Sequence, residues 1–310
     1  MSFKLHFLGT GGMVPTKERN QIGIALEHEG NVFIFDCGEN SQKQIKLMKI
    51  PIGKIKKIFI SHWHGDHTLG LNGLVQTLSN TNNIEKIEIH GPKNSKKFVD
   101  NMLKSTIFDS KVPIEIFEYN PEENEELIIQ ENIDIKISCV KLNHNDVPCI
   151  GYIYKVKDKL NVDLEKLRKI APELEKSSQL ARVKMGIPLE YEGKLIKPEE
   201  VCYSRIGAKV GLIFDTRPCQ GTKIIANNAT YLICESTHYH QKHHHKAIET
   251  YHITSKEAAK IALEGNVKKL FLTHFSQRYK DITPLIEEAK EIFENTEETY
   301  DLQTIKLKQF

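Results

Sequence analysis

Short apolar runs broken by turn signals fill the first half of the chain. "KLHFLG" (residues 4–9) precedes "GIALEHEGNVFIFDCG" (23–38), where Glu29, Gly30 and Asn31 separate two alternating segments as a hairpin turn would. "ENSQKQIKLMKI" reads as a helix, "KKIFIS" as a short buried strand, and "LGLNGLVQTLS" has the three- and four-residue apolar spacing of a helix. Strands are predicted at "IEKIEIHGP", "PIEIFEY", "LIIQ", "IDIKISCVKL" and "GYIYKV", with a helix near residues 94–105.

From about Lys157 to Pro198 the alternation stops. "DLEKLRKIAPELEKSSQLARVKMGIPLEYEG" is charged, helix-prone and interrupted at Pro172 and Pro188, which marks an insertion or arm, not core. Alternation returns with the strands "KVGLIFD", "ATYLICES" and "VKKLFLTH", a helix at "SKEAAKIALE", another around residues 283–294, and a last strand near "YDLQTIKLK". Both halves run strands first and helices after, so the pattern predicts a layered α/β/β/α sandwich in one domain over 1–310, with the arm as an excursion.

Composition narrows this little. With 39% hydrophobic and 27% charged residues the chain is ordinary for a globular protein, and no apolar run reaches the roughly 18–20 residues that cross a bilayer. No membrane partner is expected. The opening "MSFKLHFLGTGG" lacks the features of a secretory signal, and the six cysteines form no CxxC pair, so reduced thiols in the cytoplasm are expected. Any metal must then be held by histidine and carboxylate. The net charge of +2 does not announce nucleic acid, and the clusters Lys54/Lys56/Lys57 and Lys93/Lys96/Lys97 fit solvated faces as well as phosphate contacts.

The chemistry is concentrated in "SHWHGDHTLG". His62, His64, Asp66 and His67 fall within six positions directly after an apolar run, and on a tight loop neighbouring side chains can point to two places. Two metal ions sharing one loop suit this spacing better than one ion in a helical HExxH pair. Further candidate ligands stand at the ends of other predicted strands: His144, Asp215 and His274. Singly, each can be a polar loop residue; their repeated placement is what points to a common edge.

The ordered motifs resemble the metallo-β-lactamase superfamily and, within it, the ribonuclease Z family of tRNA 3′-processing endonucleases. "FLGTGGMVPTKERN" is similar to that family's opening strand and PxKxRN loop, "FDCGENSQKQ" to its first aspartate motif, and "SHWHGDHTLGLNGL" to its histidine motif. "LNHNDVPCIGY", "FDTRPC" and "LTHFSQRY" resemble its later motifs. The resemblance covers nearly the whole chain and implies a four-layer αβ/βα sandwich with an inserted arm at 155–197.

It also implies a ligand set for two zinc ions per chain, with manganese the alternative. One ion would be held by His62, His64 and His144 and the other by Asp66, His67 and His274, with Asp215 bridging and Asp36 orienting the histidine loop. The implied reaction is hydrolysis of precursor tRNA that removes the 3′ trailer and leaves a 3′-hydroxyl. Asp66 would help orient the attacking hydroxide, and Glu235 with His252 would give a proton to the leaving oxygen. The motifs behind that acid depart from the family at Cys234 and Ile253.

Lys17, Arg19 and Asn20 would contact the end of the acceptor stem, and the basic arm would hold the tRNA, although the family's glycine-proline tip is absent. A homodimer is implied. The alternative is a hydrolase of the same fold acting on small or other nucleic-acid diesters. His238, His240, His243, His244 and His245 in "STHYHQKHHHK" can scavenge metal or form a solvated loop, and the loop is favoured since the ligand set is complete without them.

Overall fold

In the strand Asn31–Cys37 successive residues serve two different layers. Val32 and Ile34 pack with Leu71, Leu74, Val75 and Leu78 of the helix Leu71–Ser79, while Phe33 and Phe35 face Tyr154 and Tyr152 of the other sheet at ring separations of 5.3 and 5.6 Å. A period of two with both faces apolar is what a strand between a helix layer and a second sheet requires. The computed structural model, which describes residues 3–308, repeats this logic on both sides.

The first sheet has seven strands in the order Thr304–Lys306, Phe3–Gly9, Gly23–His28, Asn31–Cys37, Ile55–Phe59, Ile87–Pro92 and Ile114–Tyr119. The second has seven in the order Thr296–Glu298, Lys269–Thr273, Tyr231–Glu235, Lys209–Ile213, Ile150–Val156, Ile135–Lys141 and Leu127–Glu131. Aromatic rings fill the layer between them, with Phe7 against Phe271 and Phe59 against Tyr152. On the outer face of the second sheet, Leu232, Cys234, Leu270 and Leu272 pack with Ile225, Ala258, Ala259, Ala262 and Leu285 from its helices. Each fully buried Leu, Ile or Phe contributes about 1.5–3 kcal/mol by leaving water. The result is the predicted α/β/β/α sandwich. The hairpin at Glu29–Gly30 is present, with both residues at positive φ (50° and 79°) as a two-residue turn between twisted strands demands.

Two compact units divide the chain. Among the described residues, one comprises 3–129, 137–154 and 209–307 and contains most of the sandwich; the other comprises 130–136, 155–208 and 308. The second unit is not purely helical. Beside the helices Leu164–Ile170 and Leu180–Lys184 it has a ribbon pairing Lys159–Val162 with Cys202–Arg205, and a hairpin pairing Leu189–Tyr191 with Lys194–Ile196. Glu192 and Gly193 make that hairpin's turn at positive φ. Leu167, Leu174, Leu180, Val183, Leu189, Ile196 and Val201 form a small core of this unit's own. Its strands are three or four residues long, too short for alternation to stand out from a charged background.

The histidine run is also different from its reading as a loop. Residues His240–Glu249 form a helix with a non-helical break at His243.

Candidate metal centre and active site

The polar residues of the cleft stand where strands end. The strand Ile55–Phe59 delivers His62, His64, Asp66 and His67; Lys209–Ile213 delivers Asp215; Tyr231–Glu235 ends on Glu235; and Lys269–Thr273 delivers His274. The last three strands are parallel neighbours, so their carboxyl ends share one edge of the sheet, the usual place for a site in such sheets. Trp63 anchors the histidine loop from outside: its Nε1 donates to Ser95 Oγ at 2.8 Å and its ring stacks on Phe98. Asp36 anchors it from inside. This fully buried residue, at φ 55°, accepts Ser61 N–H on Oδ1 and both the Ser61 hydroxyl and His67 Nδ1–H on Oδ2, all within 2.7 Å.

Hydrogen bonds fix which ring nitrogen each histidine leaves free. Ser61 gives its proton to Asp36, so His62 Nδ1–H must donate to Ser61 Oγ at 3.0 Å. His144 Nδ1–H donates to Tyr251 O at 3.0 Å. Thr237 gives its proton to Glu235 Oε2, so His274 Nδ1–H donates to Thr237 Oγ1 at 2.9 Å. With His67 Nδ1–H on Asp36, all four imidazoles turn a bare Nε2 inward.

Those nitrogens gather in two groups around Asp215. Its Oδ2 lies 3.6 Å from His62 Nε2 and 3.9 Å from His144 Nε2, which is itself 3.4 Å from His64 Nδ1. Its Oδ1 lies 3.3 Å from His67 Nε2 and 3.2 Å from His274 Nε2, and Asp66 Oδ2 is 3.6 and 3.4 Å from the same two nitrogens. Ligand atoms placed tetrahedrally about 2.0–2.1 Å from an ion are themselves about 3.3 Å apart. Each group has four donors, and Asp215 turns one oxygen to each.

A direct test of fit comes from unpaired atoms. His62 Nε2, His67 Nε2, His274 Nε2 and Asp215 Oδ1 are buried with no hydrogen-bond partner. Lone pairs left bare and buried cost several kcal/mol unless a cation meets them, so the residues present fit a divalent metal. The surrounding carboxylates favour positive charge at this point, and a proton competes with a metal ion for the His67 nitrogen. Burial alone would lower His67, but Asp215, Asp36 and Asp66 hold its pKa well above the ordinary value. Burial and the charge of His67 push His62 well below it. Burial favours the protonated form of Asp215, yet His274 and His67 keep it ionised far below the usual carboxylate range. Gly12 is required here: a Cβ on it would come within 2.5 Å of the His274 ring.

Beside the two groups stands a carboxylate–imidazole pair. Glu235, fully buried, accepts Thr216 N–H and the Thr237 hydroxyl, and its two oxygens are 3.2 and 3.1 Å from His252 Nδ1. Burial works against the charged imidazole, but Glu235 and Asp215 outweigh it and raise His252 to about 9. The departures at Cys234 and Ile253 lie in the apolar layer under the helices, both fully buried, and leave this pair's hydrogen bonds untouched. Sequence reading missed Arg217. It donates to the His252 carbonyl and forks onto Glu257, with Nη1 3.0 Å from Oε2. No spacing signals such a clamp, because its two partners lie 35 and 40 residues further along the chain.

The cleft above these groups has a volume of about 530 Å³ and is lined by Met13, Asp66, Leu69, His144, Asp215, His252, His274 and Arg278 among others. Met13 and Gln21, which flank the segment of Lys17, Arg19 and Asn20 in the chain, both line it. Lys17 is exposed, but Arg19 donates to Thr10 Oγ1 and Thr299 O and lies over the Phe275 ring, and Asn20 N–H donates to Asp301. The Arg19 side chain and the Asn20 backbone N–H hold the loop to the body.

Paired histidine–carboxylate clusters at the edge of an αβ/βα sandwich define a metal-dependent hydrolase of the metallo-β-lactamase fold. The fold is shared by the metallo-β-lactamase fold protein YhfI of Bacillus subtilis (17% identity, TM-score 0.68, 99% and 100% of the two chains) and by human tRNase Z, short form (23%, TM-score 0.69, 97% and 98%). A family model described as Anti-Pycsar protein Apyc1 matches residues 3–167, a stretch that ends before Asp215, Glu235, His252 and His274. Similarity that takes in the complete site is to the ribonuclease Z of Methanothermobacter thermautotrophicus, 35% identical over 98% of this chain and 96% of that one. The chain belongs to the ribonuclease Z family.

Proposed function

We infer that this protein is a metal-dependent endoribonuclease of tRNA 3′ processing that hydrolyses precursor tRNA to remove the 3′ trailer. What carries the reading is a complete donor set shared across Asp215, on a chain collinear with a ribonuclease Z from end to end. We assign His62, His64 and His144 to one zinc ion and Asp66, His67 and His274 to a second, with Asp215 common to both. Bound ions supply Lewis acidity there, lowering the pKa of water and offsetting the charge of phosphoryl oxygens.

The chain's own residues do the rest. Asp66, held by Met13 N–H at 2.6 Å, orients the attacking water at the cleft floor. Glu235 keeps His252 protonated and fixes its Nδ1–H, so that Nε2–H is the proton offered to the departing ribose 3′-oxygen. That alkoxide is a poor leaving group, which is why an acid beside it matters. Asp36 acts through His67 and Ser61, as a positioning residue.

RNA contacts belong to the same reading. Lys17 supplies a charge at the acceptor-stem end of the cleft, while Arg19 and Asn20 shape its loop. In the arm, Lys157, Lys159 and Arg168 pair with Glu131, Asp134 and Glu175, so the exposed Lys169, Lys176, Arg182 and Lys184 are the better candidates for backbone phosphates. We place the protein in the cytoplasm as a homodimer. Among the described residues the cysteines are unpaired and no helix is long and apolar enough to cross a membrane.

Competition separates a tRNA enzyme from one acting on small diesters. A precursor tRNA should inhibit hydrolysis of a small chromogenic phosphodiester competitively, and much better than an unstructured RNA of equal length. Equal inhibition by both RNAs would remove the tRNA assignment and leave the metal chemistry standing.

A further inference from the structure

The helix His240–Glu249 carries chemistry that the cleft does not use. His240 and His244, four residues apart, bring their rings to a centroid separation of 4.4 Å, and Glu257, from the helix Ser255–Glu264, faces them. One ligand atom from each of the three lies within 4.8 Å of the other two. The group shares no residue with the catalytic clusters.

Its hydrogen bonds prepare it for a cation. The Thr254 hydroxyl gives its proton to Glu257 Oε2 at 2.9 Å, so in its 2.8 Å contact with His240 Nδ1 the imidazole N–H is the donor. Neutral His240 therefore keeps its lone pair on Nε2. His244 Nε2 stands 3.4 Å from Glu257 Oε1. Glu257 is itself held in place, accepting Thr254 N–H at 2.9 Å and the Arg217 fork. Burial and the neighbouring His244 lower the pKa of His240, which favours the neutral, ligating form. All three side chains are half-buried, so an ion enters directly from solvent.

We propose that His240, His244 and Glu257 form a separate site for a divalent transition-metal ion. Two imidazoles and one carboxylate select zinc, nickel or copper over magnesium or calcium, and three protein ligands leave positions for water. Because Arg217 competes for the same carboxylate, this site fills at higher free metal than the catalytic pair. It is independent of the substrate, and its test needs no RNA.

Zinc-loaded protein is titrated calorimetrically with further zinc chloride. The wild type should bind one additional ion per chain; His240→Ala and His244→Ala should each weaken that event at least tenfold, and a His243→Ala/His245→Ala double variant should bind as the wild type does. If an alanine variant does not fold, His240→Gln and His244→Gln serve in its place. Unchanged binding in the His240 and His244 variants, or loss in the His243/His245 variant, would overturn the proposal.

Discussion

Asp36 shows how one buried acceptor can set which nitrogen of a neighbouring imidazole carries the proton. As a carboxylate it accepts from Ser61 and from His67 Nδ1–H, leaving His67 Nε2 bare. In Asp36→Asn the shape is kept, but an amide N–H can face His67 Nδ1 and hold the proton on Nε2 instead. Metal affinity, read by competition with a chelator, should fall about 10- to 100-fold while far-UV circular dichroism is unchanged. Equal affinity in the variant would contradict this role. His252 answers to a different readout. His252→Ala should slow precursor cleavage by about 10²–10⁴-fold, yet leave hydrolysis of a nitrophenyl diester nearly intact, since nitrophenolate departs without an acid. Equal losses on both substrates would mean that His252 serves the site's structure, not proton transfer. At this scale the sequence displayed what has chemical identity: the histidines and aspartates it marked converge in one cleft. Thr237 has no signature of its own, because its importance lies in partners brought together only by folding.

Among elements, those with strong periodicity were legible and those held by few apolar contacts were not. The strands flanking Glu29–Gly30 and the helix Leu71–Ser79 announce themselves because each buries a regular stripe. In the helix His240–Glu249 only Ala247 is buried, so no stripe exists to read, and histidine's modest helix propensity gives no help. The following helix is the opposite case. Thr254 caps Ser255–Glu264, with Glu257 returning a hydrogen bond to Thr254 N–H, the reciprocal arrangement that satisfies two otherwise unpaired donors. Thr254→Ala should cost about 1 kcal/mol in urea unfolding, within the usual cap range of about 0.5–2. A cost near zero would mean that packing alone holds this helix start.

For the molecule as a whole, buried histidines tie stability to pH. His90 is 3% exposed, stacked between Phe59 and Phe117, and burial, aided by the charge of Lys57, lowers its pKa to about 4. In the unfolded chain it titrates near 6.5. The folded state therefore binds fewer protons between these values, so its contribution is complete above about pH 6.5 and is lost as pH falls towards 4. Urea unfolding at pH 7 and pH 4.5 should show a drop that His90→Phe reduces by up to about 3 kcal/mol. Identical drops in both proteins would contradict the assignment. Whole-molecule totals said little about function: a net charge of +2 is silent about RNA. The order of motifs along the chain was informative because the fold sets each of them at a strand end along one edge.

The most direct test of the central claim is cleavage of a precursor tRNA carrying a short 3′ trailer, mapped at nucleotide resolution with zinc-loaded wild type and Asp215→Ala. One discrete cut is expected near the discriminator base, leaving a 3′-hydroxyl on the tRNA and abolished in the variant. Scattered cuts, or a discrete cut that survives loss of Asp215, would contradict that claim.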